Sequence, residues 1–302
     1  MNYHSPVLLQ ESVDALDVKE DGVYVDVTFG GGGHSREILK RLGENGKLFG
    51  FDQDPDALEN VIDDERFVLI PENFRFISRF LRFHRVKKVD GILADLGVSS
   101  HQFDEAERGF SIRFDGDLDM RMNQKSKVSA KEIVNNYSEE KLAEILFLYG
   151  ELRNSRNIAK TIVESRENEK IETSFQLREL LQKYLPKAKE HKILAQIFQA
   201  IRIEVNEELD VLREFLEQVP NLLKEDGRLS VISYHSLEDR LVKRFIRTGL
   251  FRGEPEKDVF GNSDVPLQKV GKLIVPNSQE IKTNNRARSA KLRIAELKSP
   301  KK

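Results

Sequence analysis

Between Val23 and Leu42 the chain reads V-Y-V-D-V-T-F-G-G-G-G-H-S-R-E-I-L-K-R-L. An apolar, β-branched run enters four consecutive glycines and leaves as a helix-period stretch. Glycine lets the backbone turn sharply and approach a ligand closely. Four in a row cost more chain entropy than a plain connection requires. A flexible strand–helix turn is the bland reading; a ligand-binding turn at the edge of an α/β sheet is the one the glycines favour.

The neighbouring sequence repeats the same alternation. Strands are expected at Val23–Phe29, Lys47–Phe51, Phe67–Ile70 and Val89–Ala94, with helical stretches at Ser35–Leu42, Pro55–Val61 and Phe76–Phe83. Strands alternating with helices imply a parallel sheet with right-handed crossovers. Near residue 104 the character changes. From Ser129 to about Val219 amphipathic helices take over, among them Arg153–Glu164, Ser174–Tyr184 and a long one from Ile193 to Val205 or beyond. Ser129 and Glu132 have capping-box spacing, and Ser138 precedes Glu139, Glu140 and an apolar face of Leu142, Ile145 and Leu146. Strand signals return at Arg228–Ser233, Leu273–Val275 and Ala290–Leu297. The expectation is a discontinuous α/β domain, residues 1–104 and 211–302, interrupted by a helical domain at 105–210.

Composition narrows the function classes. Lys+Arg total 49 and Asp+Glu 51, a net charge of −2, so a nucleic-acid binder of this kind must concentrate its positive charge locally. Two segments do so. Asn73–Lys88 carries Arg75, Arg79, Arg82, Arg85, Lys87 and Lys88 with no acid; Arg75, Arg79 and Arg82 share one helical face and Phe76, Phe80 and Phe83 the other. An amphipathic helix packed on the sheet through its phenylalanines is the plainer reading, a phosphate contact the sharper one. The tail from Lys282 to Lys302 has eight Lys/Arg against Glu296 alone, a net of +7. With no cysteine, disulfides, thiolate zinc sites and cysteine nucleophiles are excluded. The N-terminal residues lack a basic region followed by an apolar core, and no apolar run approaches a membrane span's roughly 20 residues, so a cytoplasmic protein without a membrane partner is expected.

Two apparent metal sites fail. Asp115, Asp117 and Asp119 imitate the start of a calcium loop, but Gly116 is misplaced and the twelfth position is Ser126. The six histidines lack metal-ligand spacing, so no metal is expected. The glycine turn meets the dinucleotide fingerprint only partly, since its third position is Ser35 or Arg36. Asp52, about 20 residues beyond the glycines, is placed to accept both hydroxyls of a ribose; nicotinamide and methyl-donor enzymes share that device. Asp95, ending the fourth strand, leans the choice toward a methyl donor, though a turn role before Gly97-Val98-Ser99-Ser100 competes. A nicotinamide oxidoreductase and a non-catalytic binding module remain the alternatives.

The ordered motifs resemble those of the bacterial 16S ribosomal RNA (cytosine-N4)-methyltransferases that act on a decoding-site cytosine. They are H-S-P-V-L-L-Q-E (His4–Glu11), D-V-T-F-G-G-G-G-H-S (Asp26–Ser35), D-Q-D-P-D-A-L (Asp52–Leu58), D-L-G-V-S-S-H-Q-F-D (Asp95–Asp104), R-G-F-S (Arg108–Ser111), L-D-M-R-M (Leu118–Met122), Y-G-E (Tyr149–Glu151), F-Q-A-I-R-I-E-V-N-E-E-L (Phe198–Leu209), G-R-L-S-V-I-S-Y-H-S-L-E-D-R (Gly227–Arg240) and R-A-R-S-A-K-L-R (Arg286–Arg293). The resemblance implies a Rossmann-like S-adenosylmethionine-dependent methyltransferase sheet with an inserted helical substrate-recognition domain. It places cofactor contacts on Gly31, Gly32, Gly33, His34, Asp52, Phe74, Asp95 and Gln102. The implied substrate is 16S rRNA in the small ribosomal subunit, with a second copy of the chain left open as a partner. Asp95 is the expected acceptor orienting the amine. Phe110, Tyr234 and His235 are expected to carry the base and Arg286 and Arg288 to meet RNA. The chain departs from the family at Asp117, where a proline is usual, and at His191–Gln196 (H-K-I-L-A-Q), where a proline and a basic residue are expected.

Overall fold

The computed structural model of the chain describes residues 6–261 and 263–299. His4 and Ser5 of the N-terminal motif, and Pro300–Lys302 of the basic tail, lie outside the described residues. The chain divides into two compact units, Met1–Gly97 with Leu209–Lys302, and Val98–Glu208.

In the discontinuous unit, among the described residues, seven strands form one sheet: β1 (Val23–Asp26), β2 (Lys47–Phe51), β3 (Phe67–Ile70), β4 (Val89–Asp95), β5 (Leu223–Ser233), β6 (Leu267–Ile274) and β7 (Lys291–Leu297). Their order is β3-β2-β1-β4-β5-β7-β6. The first five are parallel neighbours, and β7 runs antiparallel between β5 and β6. Central strands of a parallel sheet are covered on both faces, so they read as continuous apolar runs; the first six residues of β4 are all buried. Helices α1 (Leu9–Asp14), α2 (Gly33–Arg41) and α3 (Ile77–Phe83) accompany the first half. The expected helix at Pro55–Val61 is instead a 3₁₀ turn, Pro55–Asn60, started by Asp54, whose carboxylate accepts the Asp56 N–H.

α3 corrects the sequence reading of its faces. Ile77 and Leu81 are its buried residues, while Phe83 is 78% exposed and Phe76 42%. Phe76 closes the 3₁₀ turn Phe74–Phe76 before the helix; Phe83 lies about 200° around the helix from Leu81, so burying Ile77 and Leu81 turns it outward, and Phe80 alone of the three phenylalanines packs on the sheet core, edge-on to Phe51 at 6.3 Å. Arg75 leaves the basic face as well, pairing bidentately with Glu214 (2.9 and 2.6 Å).

The helical unit contains α4 (Ser100–Asp104), α5 (Ala130–Asn136), α6 (Glu139–Leu148), α7 (Ser155–Arg166), α8 (Ser174–Leu180) and α9 (Glu190–Asn206). It has a core of its own, built on Leu118, Ile133, Ile145, Ile158, Leu177, Ile197 and Ile201. Local chemistry starts its helices. Ser129 and Glu132 form the expected capping box, and the Ser138 hydroxyl accepts the Lys141 N–H at 3.2 Å. Asp117, the departure from the family pattern, takes an ion pair from Lys131 at 2.7 Å. Gln196 donates to the Gly150 carbonyl at 2.8 Å.

Three further helices complete the chain: α10 (Glu208–Leu222), α11 (Ser236–Thr248) and α12 (Ser278–Thr283). Leu212, Phe215, Leu216 and Val219 of α10 fall at the i, i+3, i+4, i+7 positions of one face and are all buried against the sheet core. Among the described residues no helix is long and apolar enough to cross a membrane.

Candidate active site

In a parallel sheet the loops beyond the carboxyl ends of the strands are where a ligand finds backbone groups and side chains from several strands at once. Four adjacent strands deliver residues to that edge. β1 runs into the glycine turn, β2 into Asp52, β4 ends on Asp95, and β5 runs into Tyr234 and His235. Because β7 is antiparallel, with Lys291 in register with Ser233, its preceding turn lies at the same edge. That turn, Asn285–Ser289, carries Arg286, partly buried, and Arg288, exposed.

The glycine turn is fastened from several sides. Gly32 sits at φ +73° and caps α2, a left-handed backbone that glycine adopts without strain. At Gly33 the need is space: a Cβ there would lie 2.1 Å from Pro6 Cγ. Asn60 donates to the Gly30 carbonyl (3.2 Å) and Arg36 to that of Gly31 (2.6 Å). Asp52 accepts the Gly30 N–H at 2.7 Å and the Asp54 N–H at 2.9 Å. Burial pushes its carboxyl up to about 6, against those hydrogen bonds.

Asp95 stands at the centre. Its N–H donates to Thr28 Oγ1 at 2.7 Å, fixing the end of β4 against β1. Its Oδ1 accepts the Tyr234 hydroxyl at 2.7 Å, and its Oδ2 lies 3.8 Å from His34 Nδ1. His34 Nε2 is 3.2 Å from the Val7 carbonyl, a contact that needs a proton on Nε2. Burial pushes the Asp95 carboxyl up to about 6, while His34 and the Tyr234 hydrogen bond pull it down. The Tyr234 hydroxyl is raised well above its ordinary value by burial and then by Asp95 beside it, so it stays a donor.

Two further residues escaped sequence selection although they sit inside the quoted motif. Asp26 is fully buried, accepting the Ser35 hydroxyl at 2.7 Å and the Thr28 N–H at 3.1 Å. Burial raises its carboxyl. The signal was an acid inside an apolar strand, which must find partners when buried. Thr28 then links Asp26 to the backbone of Asp95.

The other expected site residues have visible structural duties. His235 caps α11: its Nδ1 accepts the Glu238 N–H at 3.4 Å, and Glu238 accepts the N–H groups of Tyr234 and His235 at 3.0 and 3.3 Å. Phe74 opens the 3₁₀ turn after β3 and meets Phe215 edge-on at 5.3 Å. Within the helical unit, Gln102 is 4% exposed and closes a capping box with Ser99, a spacing readable in S-S-H-Q. Phe110, 4% exposed, belongs to that unit's core, with the Arg108 guanidinium 5.9 Å from its ring centre.

Strand order, the single antiparallel strand, the glycine turn after β1 and the acids ending β2 and β4 define a seven-stranded sheet of the S-adenosylmethionine methyltransferase type, with a helical segment inserted between β4 and β5. The chain belongs to the MraW methylase family, matched over residues 1–298. It is 67% identical over 296 residues to the ribosomal RNA small subunit methyltransferase H of Flavobacterium johnsoniae, covering 98% of each chain. It is 67% identical over 295 residues to the protein of that name from Christiangramia forsetii, again 98% of each. With that of Bacteroides fragilis the identity is 56% over 297 residues and 98% of each.

Proposed function

We propose that the chain transfers a methyl group from S-adenosylmethionine to the exocyclic N4 amine of a cytosine in the decoding region of 16S rRNA, within the small ribosomal subunit. Family membership and the named function of relatives at 56–67% identity support methyl transfer to small-subunit rRNA. The observation that carries the site assignment is Asp95, held at the end of β4 by Thr28 and Tyr234 beside the glycine turn, with His34 3.8 Å from its Oδ2.

The residues suit that cofactor. Asp52 and Asp95 place two carboxylates, both raised by burial, around one glycine turn, and a cationic ligand would relieve that arrangement. Asp52 would hold the ribose hydroxyls, Gly31–Gly33 and His34 would face the amino-acid end, and Phe74 remains a proposed contact. The cofactor supplies a methyl on a sulfonium, already a good leaving group. The chain's own task is the nucleophile. The amine lone pair is delocalised into the cytosine ring, and an acceptor for its N–H localises it. Asp95 Oδ2 is the free face of the carboxylate, since Oδ1 is occupied by Tyr234. Orientation of this kind is worth about 7–11 kcal/mol in favourable cases. Extruding the base from a stack costs a few kcal/mol, for which Tyr234 and His235 are the proposed aromatic supports and Arg286 and Arg288 the proposed phosphate contacts; Phe110, 4% exposed in the core of the helical unit, is not offered to a base. The helical unit is the proposed substrate-recognition domain.

The test is transfer of labelled methyl from S-adenosylmethionine to small subunits lacking the modification, with naked 16S rRNA alongside and nucleoside analysis afterwards. N4-methylated cytidine from subunits is the expected product. Label in another nucleoside, or none despite confirmed cofactor binding, would overturn the assignment.

A further inference from the structure

Six cations follow one another from the turn before α3 to the start of β4, and the structure separates those held by a carboxylate or carbonyl from those that are not. Arg75 is committed to Glu214, and the Lys88 ammonium donates to the Leu223 carbonyl at 3.0 Å. Among the described residues none of Arg79, Arg82, Arg85 and Lys87 is in an ion pair, and all four are exposed. Phe83 stands among them 78% exposed, its ring edge-on to His84 at 5.2 Å. Arg85 ends the helix at φ +61°, with its N–H on the Arg82 carbonyl and the Val86 N–H on that of Leu81. Glycine would take that left-handed position with less strain, yet an arginine occupies it.

The rival basic segment is partly spent on the fold. Lys291 and Arg293 both pair with Asp239 (3.3 and 2.7 Å), and Glu296 answers Arg228 at 2.9 Å. Among the described residues the α3 end therefore offers the more concentrated free positive charge, and it offers an uncovered aromatic ring as well. Cations that track a backbone beside a ring that accepts a base are the two elements of single-strand nucleic-acid binding.

We propose that Arg79, Arg82, Phe83, Arg85 and Lys87 form a remote RNA-docking surface that grips phosphates of an unpaired rRNA stretch and stacks one of its bases on Phe83. The inference rests on the rRNA substrate proposed above. The surface is remote because the turn after α3 feeds the start of β4, whereas Asp95 ends that strand; the six steps between Val89 and Asp95 span about 20 Å. RNA held there is a different stretch from the one presenting the target cytosine. Removing the grip should weaken substrate binding and leave the chemistry alone.

The experiment compares the full-length protein with Arg79→Ala/Arg82→Ala/Arg85→Ala, the same triple to lysine, and Phe83→Ala. Direct binding to naked 16S rRNA and to intact subunits is measured at two salt concentrations, beside KM, kcat and cofactor affinity. The alanine triple is expected to weaken RNA binding and raise KM about tenfold or more, flattening the log–log salt slope by about two. Its kcat and cofactor affinity should not change, and the lysine triple should retain binding. Phe83→Ala is expected to cost about fivefold with an unaltered salt slope. Wild-type binding by the alanine triple overturns the proposal. So does a loss on intact subunits that is absent on naked rRNA, which would assign the surface to a ribosomal protein. Because binding is read apart from turnover, a wild-type chain that binds rRNA through these residues but methylates none of it would sink the proposed reaction and spare this surface.

Discussion

Tyr234→Phe removes one oxygen atom, the hydroxyl that donates to Asp95 Oδ1 at 2.7 Å. A hydrogen bond to an ionised group contributes about 1.5–3 kcal/mol, and about 1.4 kcal/mol corresponds to one pH unit of titration. That bond favours the charged carboxylate, so its loss moves the titration of Asp95 upward by about 1–2 pH units. In the wild type Asp95 titrates near 6, pushed there by burial. If the carboxylate is the acceptor for the amine, activity is lost as pH falls through that value, and in the variant the loss begins at higher pH. For a shift of about 1.5 units the rate at pH 6 drops about 16-fold and the rate near pH 9 hardly changes. Single-turnover methyl transfer to small subunits, followed from about pH 5.5 to 9, reads this directly. Superimposable acid limbs would refute the reasoning, and so would an equal loss at every pH, which would make Tyr234 a structural support only.

Asp95→Asn should separate stability from activity. The stability that the raised carboxyl contributes is fully present below its unfolded value and is lost as pH rises through about 6. At pH 7.5 the amide should therefore stabilise the cofactor-free protein by about 1–3 kcal/mol in a chemical denaturation curve, while turnover falls about a hundredfold or more. Asp52→Ala removes the acceptor for the Gly30 and Asp54 N–H groups and is expected to weaken cofactor binding about tenfold or more by calorimetry; unchanged affinity would remove Asp52 from the site. Gly33→Ala forces a Cβ against Pro6 and should cost about 1–3 kcal/mol, read as a lower Tm together with weaker cofactor binding.

What the sequence made legible was whatever depends on neighbours along the chain. Lys47–Phe51 and Phe67–Ile70 were read to the residue, since alternation and flanking turns are local signals. The Ser129–Glu132 box was likewise readable from its spacing alone. The break between α9 and α10 was not: it falls at Glu207, left-handed at φ +50°, and a glutamate there carries no local warning. α11 went unread although H-S-L-E has the spacing of a cap, because the capping side chain is a histidine. Nor could local pattern place β7 between β5 and β6, a pairing decided by the whole sheet. In the site, the glycines, Asp52 and Asp95 declared themselves by position after strands. Asp26 and Thr28 did not, because their importance lies in which distant backbone they hold.

The insertion between β4 and β5 also sets a timetable. These two strands are hydrogen-bonded neighbours, yet Asp95 and Leu223 are separated by 127 residues, the difference of their numbers less one. At a synthesis rate of about 5–20 residues per second, β4 leaves the ribosome about 6–25 s before its partner. During that interval the nascent chain carries an apolar strand with one open edge, the kind of surface on which other chains nucleate aggregates. A helical segment with a core of its own can collapse in that window, withdrawing its apolar residues from the same hazard before β5 is made.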